Sequence, residues 1–243
     1  MRFVTQVLSY GGGREYNEDA VQYSNTDKLG CWTLADGLGG HGGGDVAAQA
    51  ATNAVIQAFN SHAECTAEAL MTYVEQARSA VSRKQEQDPA LASMRTTLIV
   101  LVMDERQALW AHIGDSRLYY FKQGTMQRRT LDHSVPQAMV EAGQINASQI
   151  RFHEDRNRLL RSLGGREEIR ATIESKPPSI GPGDAFLLAS DGFWEYVTDT
   201  AMEIDLAKSS TPGEWLKHME RRLRQVAPED QDNFSAIAVM LSV

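Results

Sequence analysis

The stretch Cys31-Trp32-Thr33-Leu34-Ala35-Asp36-Gly37-Leu38-Gly39-Gly40-His41 runs from a short apolar segment straight into an acid and a glycine-rich loop. Residues 31–35 read as a buried strand, which places Asp36 at its end on a stiff support. The pattern recurs late in the chain. The turn Pro182-Gly183-Asp184 precedes the apolar run Ala185 to Ala189, and Ser190-Asp191-Gly192 follows it. A single Asp-Gly pair is usually just a turn. Two of them at strand ends offer rigid carboxylates, each beside a glycine where a backbone carbonyl can approach and serve as a second oxygen ligand.

Further acids stand nearby in the same sense. Glu18 and Asp19 lie in Arg14-Glu15-Tyr16-Asn17-Glu18-Asp19, Asp115 in Gly114-Asp115-Ser116-Arg117, and Asp232 beside Asn233. None of the six histidines forms an HxH or HxxxH pair, and the two cysteines, Cys31 and Cys65, are far apart, so a zinc site is disfavoured. Oxygen donors suit magnesium or manganese. A carboxylate such as Asp36 can bridge two such ions, and a pair about 4 Å apart lowers the pKa of a water between them and braces a phosphoryl group. Arg14 could grip phosphate oxygens with its planar guanidinium, and His41 could protonate a leaving oxygen.

Around these residues the periodicity predicts strands over 2–10 and 19–26, and helices over 45–59 and 66–86. It then predicts a meander of three strands over 96–103, 108–113 and 117–121, and a helix over 133–142. The Arg-rich stretch Gly143 to Gly165 has no clear period and is expected to be mobile and lid-like. A strand over 185–189, helices over 198–207 and 212–226, and a last strand over 234–243 complete the order. Strands and helices come in runs rather than in βαβ alternation, which implies an α+β sandwich of mainly antiparallel sheets.

At 243 residues the length alone does not decide between one domain and two. If positions 19, 36, 115, 191 and 232 share a site, both ends of the chain belong to one core, and 1–243 is a single domain. A hydrophobic fraction of 42% with 23% charged residues is that of a folded, water-soluble chain. The net charge of -8 argues against nucleic acid or an anionic membrane as partner. Two unpaired cysteines fit a reducing compartment, and no run approaches the about 18 apolar residues of a membrane span, so a cytoplasmic protein is expected.

Other phosphate chemistries fail on residues. A thiol phosphatase needs Arg six positions after its Cys, and Gly37 and Met71 stand there. The glycine loop lacks the Gly-Lys-Ser/Thr of a P-loop, and Ser116 and Ser190 lie in no G-x-S-x-G elbow.

The motifs Arg14-x-x-Asn17-Glu18-Asp19, Ala35-Asp36-Gly37-x-Gly39-Gly40-His41, Thr96-Thr97, Gly114-Asp115-Ser116-Arg117, Asp132-His133-Ser134, Ala189-Ser190-Asp191-Gly192-x-Trp194 and Asp232-Asn233-x-Ser235 occur in this order. In that order they closely resemble the metal-dependent Ser/Thr protein phosphatases of the PPM, or type 2C, family in their compact bacterial form, from about residue 5 onward. The resemblance implies a four-layer αββα sandwich with two Mn2+ or Mg2+ ions at one end. It implies that Asp36 bridges the ions, that the Gly37 carbonyl binds one, and that Asp191 and Asp232 complete the other. Glu18 and Asp19 would act at the same centre, Asp115 would hold a third, weaker ion, Arg14 the substrate phosphate, and His41 would be the general acid. A metal-bridging water would attack in line. The implied partners are phosphorylated Ser/Thr proteins and a cognate Ser/Thr kinase pathway, with type VI secretion control as one setting, and the chain is expected to be a monomer. One position departs: where the family often has Met-Gly-Thr-Thr, this chain has Met94-Arg95-Thr96-Thr97.

Overall fold

The computed structural model describes residues 1–243 apart from 27, 39–41, 166–170, 175 and 177. The chain opens with β1 (Arg2–Tyr10), β2 (Asp19–Asn25) and β3 (Leu29–Leu38), then α1 (Gly44–Ser61) and α2 (Ala67–Gln87). The middle holds β4 (Arg95–Thr96), β5 (Leu98–Asp104), β6 (Ala108–Ile113), β7 (Arg117–Lys122) and β8 (Thr125–Arg129), followed by α3 (Val135–Glu141), a 3-10 turn (Ala147–Phe152) and β9 (Thr172–Ile173). It ends with β10 (Ala185–Ala189), α4 (Asp191–Trp194), α5 (Asp199–Ala207), α6 (Pro212–Val226) and β11 (Phe234–Ser242). Three helices start where a threonine hydroxyl accepts a backbone N–H of the first turn: Thr66 from Ala69, Thr198 from Ala201 and Thr211 from Glu214.

Two antiparallel sheets form, one in the order β1-β11-β10-β7-β8 and the other β2-β3-β5-β6-β9, with β4 added beside β3. Three apolar clusters define four layers. Trp32, Leu34, Ile99 and Trp110 of one sheet pack on Leu118, Phe186, Leu188 and Ile237 of the other. The outer face of the first buries Ala35, Val100 and Ala111 against α1 and α2 through Ala48, Val55, Tyr73 and Val81. The outer face of the second buries Leu187 and Ala238 against Met202, Trp215 and Met219 of α5 and α6. This is the expected αββα sandwich, and alternate residues of each inner strand serve alternate layers.

Three details depart from the expected elements. The strand carrying Asp36 continues to Leu38, because Gly37 and Leu38 pair with Thr96 and Arg95 of β4. That pairing also accommodates Arg95, whose side chain is exposed. The run 96–103 is broken at Thr97, whose backbone and side chain turn to Asp36 instead. The meander does not form. β6 pairs with β5 and β9, whereas β7 pairs with β10 and β8 in the opposite sheet. Gly114, Asp115 and Ser116 make the crossing, since about three extended residues span the roughly 10 Å between packed sheets, and Gly114 supplies a φ of 101°.

Alternation decides where the acids point. On β3, Cys31 and Ala35 face the helices while Trp32 and Leu34 face the other sheet, so Asp36 shares the inter-sheet face. On β2, Ala20 faces the helices, so Asp19 also faces inward.

Candidate metal centre

Asp19 and Asp36 are direct cross-strand partners at the last rung of the β2–β3 ladder. Like charges placed so are destabilising, and few strands keep them without compensation. Asp191 reaches the same point from the opposite sheet, on the first turn of α4 after β10, and Asp115 from the turn between β6 and β7. Asp232 arrives just before β11. Arg14, Glu18, Asp36, Gly37, Asp115, Asp191 and Asp232 all line one cleft of about 810 Å³ at this end of the sandwich. Asp19 lies beneath it, its Oδ2 accepting from Ser190 Oγ at 2.9 Å.

The electrostatics follow from burial. Asp36 is held well above the usual carboxylate range, first by desolvation and then by Asp19, Asp191 and Asp115. Asp115, only 4% exposed, is raised by burial and then by Asp191 and Asp132. Burial and then Asp232 raise Asp191, and burial pushes Asp19 up to about 7. Glu18 is raised more gently, by burial and then Asp45 and Asp232, while the Gly44 N–H at the start of α1 favours its charged form.

One ion pair neutralises part of this charge: Arg14 Nη2 donates to Asp232 Oδ2 at 3.0 Å, in a pair 57% and 43% exposed. Among the described residues no three such side chains are already drawn together as a coordination shell. The donor set nevertheless fits hard divalent cations. Asp19 Oδ1 is buried with no hydrogen-bond partner, the facing acids repel, and every donor is a carboxylate or carbonyl oxygen.

Neutral residues fix the frame. Thr97 Oγ1 accepts the Asp36 N–H, and the Asp36 carbonyl accepts both the Thr97 N–H and the Thr96 hydroxyl, each at 2.9 Å. Thr97 and Ser116 hydroxyls bond at 2.8 Å, tying the Asp115 turn to the same point. Asn233 clamps the 11–18 loop: its Oδ1 accepts from Glu18 N, and its Nδ2 donates to the Gly11 and Tyr16 carbonyls. A Cβ on Gly192 would stand 2.2 Å from the Asn233 carbonyl, so the turns carrying Asp191 and Asp232 touch only because Gly192 is bare. Behind Asp115, Arg117 makes a bidentate bond to Asp132, both 2% exposed, in the manner of a buried fork pair.

Every acid singled out in the sequence, with Arg14 and Gly37, is therefore at or beneath one cleft. His41 lies outside the described residues. Sequence reasoning assigned no role to Asn233, Thr97 or Ser190. It also did not foresee Asn157 and Leu159, which bring the aperiodic stretch 143–165 to the cleft wall. That stretch is fastened by Arg151 to the Val197 carbonyl and Asp199, and by Arg156 to Glu195. Its run of arginines was the available signal, with acids on α5 and beside α4 to receive them.

Known proteins share this fold and much of the sequence. The family described as Protein phosphatase 2C matches residues 13–237. The serine/threonine phosphatase stp of Listeria innocua is 32% identical over 207 residues, 83% of this chain and 81% of its own. The Mycobacterium tuberculosis serine/threonine phosphatase PstP/Ppp superposes with a TM-score of 0.87 at 28% identity, covering all of both chains. The catalytic domain of PstP in complex with two manganese ions gives 0.84 at 27% identity over 99% of each chain. PppA, described as a key regulatory component of the type VI secretion system in Pseudomonas aeruginosa, gives 0.76 at 25%, over 99% of this chain and 98% of its own. With carboxylates from both sheets gathered at one end of an αββα sandwich, and the family match spanning nearly the whole sequence, this chain belongs to the protein phosphatase 2C family.

Proposed function

We propose that the chain is a metal-dependent protein phosphatase that hydrolyses phosphoserine and phosphothreonine in proteins. The observation that carries this reading is the facing pair Asp19 and Asp36, joined by Asp191, Asp115 and Asp232 around one cleft with a guanidinium at its mouth. In this reading Asp36, the Gly37 carbonyl, Asp191 and Asp232 hold two Mn2+ or Mg2+ ions, Glu18 and Asp19 support them, and Asp115 holds a third, weaker ion. The oxygen-only donors support that choice, as does the PstP catalytic domain solved with two manganese ions. When bound, such a pair supplies a water of lowered pKa and positive charge against the phosphoryl oxygens.

The residues of the chain do the rest. Arg14 bonds Asp232 through Nη2, leaving other N–H donors of its fork for phosphate oxygens. The acids would hold the cations in the cleft, against the phosphoryl oxygens. His41 donates the proton that the departing serine or threonine oxygen needs. No Ser, Thr or Cys lies among the described residues lining the cleft, and in this reading its aspartates are taken up by the cations, which supports hydrolysis without a phosphoenzyme.

The substrates are phosphoproteins of a Ser/Thr kinase pathway, and the likeness to PppA extends the proposal to type VI secretion control. A monomer in the cytoplasm is part of the same reading. Turnover of p-nitrophenyl phosphate and of a phosphothreonine peptide, with manganese or with EDTA, tests it. Turnover on both in manganese and none in EDTA is expected. Absence of turnover on either substrate with manganese present refutes it.

A further inference from the structure

Trp194 ends the α4 turn that begins at Asp191, and its ring is 1% exposed. Its Nε1–H donates to the Asp115 carbonyl at 3.0 Å. The Arg117 guanidinium lies 3.4 Å from the ring centroid and that of Arg151 5.5 Å, both in cation–π range. None of the three side chains lines the cleft. They therefore act, if at all, from behind it.

The turn they support needs a tie of this kind. Asp115 joins strands of opposite sheets, so no ladder hydrogen bonds run across it. Asp191 follows β10, whose ladder with β7 ends at Ala189 and Arg117, two residues short of each acid. A single indole, rigid and carried on Asp191's own turn, bonds the backbone of Asp115 directly. Arg117, locked to Asp132 by two hydrogen bonds, fixes the ring from one neighbour, and Arg151 from the 3-10 turn adds the segment beside the cleft.

We propose that Trp194 is a positioning residue: its indole N–H sets the distance between Asp115 and Asp191, and so the affinity of the weaker cation site. This rests on the reading of Asp115 as a ligand of that site. The test combines Asp115→Asn, Trp194→Phe and the double variant, titrated with Mn2+ by calorimetry without substrate, and hydrogen–deuterium exchange over residues 113–118 in EDTA. Trp194→Phe is expected to weaken the weaker binding phase by about tenfold, the scale of one lost buried hydrogen bond, and Asp115→Asn, which removes a charged ligand, by at least as much. The double variant should be no weaker than Asp115→Asn, and exchange over 113–118 should be faster in Trp194→Phe. An unchanged titration or unchanged exchange in Trp194→Phe, or a loss that adds to that of Asp115→Asn, overturns the inference. If Asp115→Asn alone leaves the titration unchanged, the ligand reading falls first and the inference with it. Should Trp194→Phe not fold, 3-benzothienylalanine at position 194 keeps the ring shape without the donor and is judged by the same outcomes.

Discussion

Asp19→Asn should stabilise the metal-free protein, and by an amount that depends on pH. In the fold the Asp19 carboxyl holds its proton up to about pH 7, because burial outweighs the influence of the nearby Ser235 and Ser190 hydroxyls, whereas its ordinary value is 3.8. The folded chain thus binds this proton more tightly than the unfolded one. The stability it contributes is complete below 3.8 and is lost as pH rises through about 7. At about 1.4 kcal/mol per pH unit, the loss across that window is about 4 kcal/mol. Asparagine keeps the shape and an oxygen for the Ser190 hydroxyl but never ionises, so the variant escapes the loss.

Urea unfolding in EDTA, compared between wild type and Asp19→Asn, measures this directly. The advantage of the variant should grow by about 1.4 kcal/mol per pH unit above pH 4 and level off at about 4 kcal/mol above pH 7. In thermal melts that is roughly 10 °C for a chain of this size. Adding manganese should shrink or reverse the advantage, because the ionised carboxyl then has a cation to face. An advantage of the same size at about pH 5 and about pH 8 in EDTA refutes the argument, since it would show that Asp19 is not titrating between folded and unfolded states.

Asp36→Asn and Asp191→Asn should each abolish turnover of p-nitrophenyl phosphate at saturating manganese, and near-normal rates with full metal occupancy would refute the bridging role that the resemblance implies for Asp36. Arg14→Ala should lower kcat/KM for a phosphothreonine peptide by about 10- to 100-fold, the range of a charge-assisted hydrogen bond, with urea stability changed by less than about 1 kcal/mol because its pair with Asp232 is exposed. Arg117→Met should cost about 3–5 kcal/mol in urea unfolding by leaving Asp132 buried and unpaired, and Arg117→Met with Asp132→Leu should recover most of it.

Asp36, Asp115 and Asp191 were legible in the sequence because each sits where an apolar strand run stops, and the oxygen-only company of the acids named the kind of cation. The layers were legible for the same reason: the alternation at Cys31, Trp32, Leu34 and Ala35 is the alternation between the helix-facing and sheet-facing cores. What the sequence hid was pairing at a distance. Nothing in 108–121 marks β6 and β7 as members of opposite sheets, since three residues suffice for either a hairpin or a crossing. Asn233 and Thr97 were invisible as clamps because a polar residue beside an acid or at the start of a strand has many local explanations, and only the fold shows that their bonds reach across 215 residues from Glu18 to Asn233 and 61 from Asp36 to Thr97.

The ladders end where the acids begin, and the two facts have one cause. The β2–β3 ladder stops at Asp19 and Asp36, the β10–β11 ladder at Ala189 and Ala236, and the β5–β6 ladder at Leu98 and Ile113. At two of these stops a side-chain oxygen replaces or reinforces the next rung: Thr97 Oγ1 takes the Asp36 N–H, and Ser190 Oγ takes the Ser235 N–H at 2.9 Å. A regular sheet end would leave these backbone groups to water and the carboxyls free to splay apart under their own repulsion. Short hydroxyls hold the backbone while donating nothing to the net charge. The acids therefore stay gathered largely through uncharged ties, and the repulsion that appears as they ionise is what a divalent cation would relieve on binding.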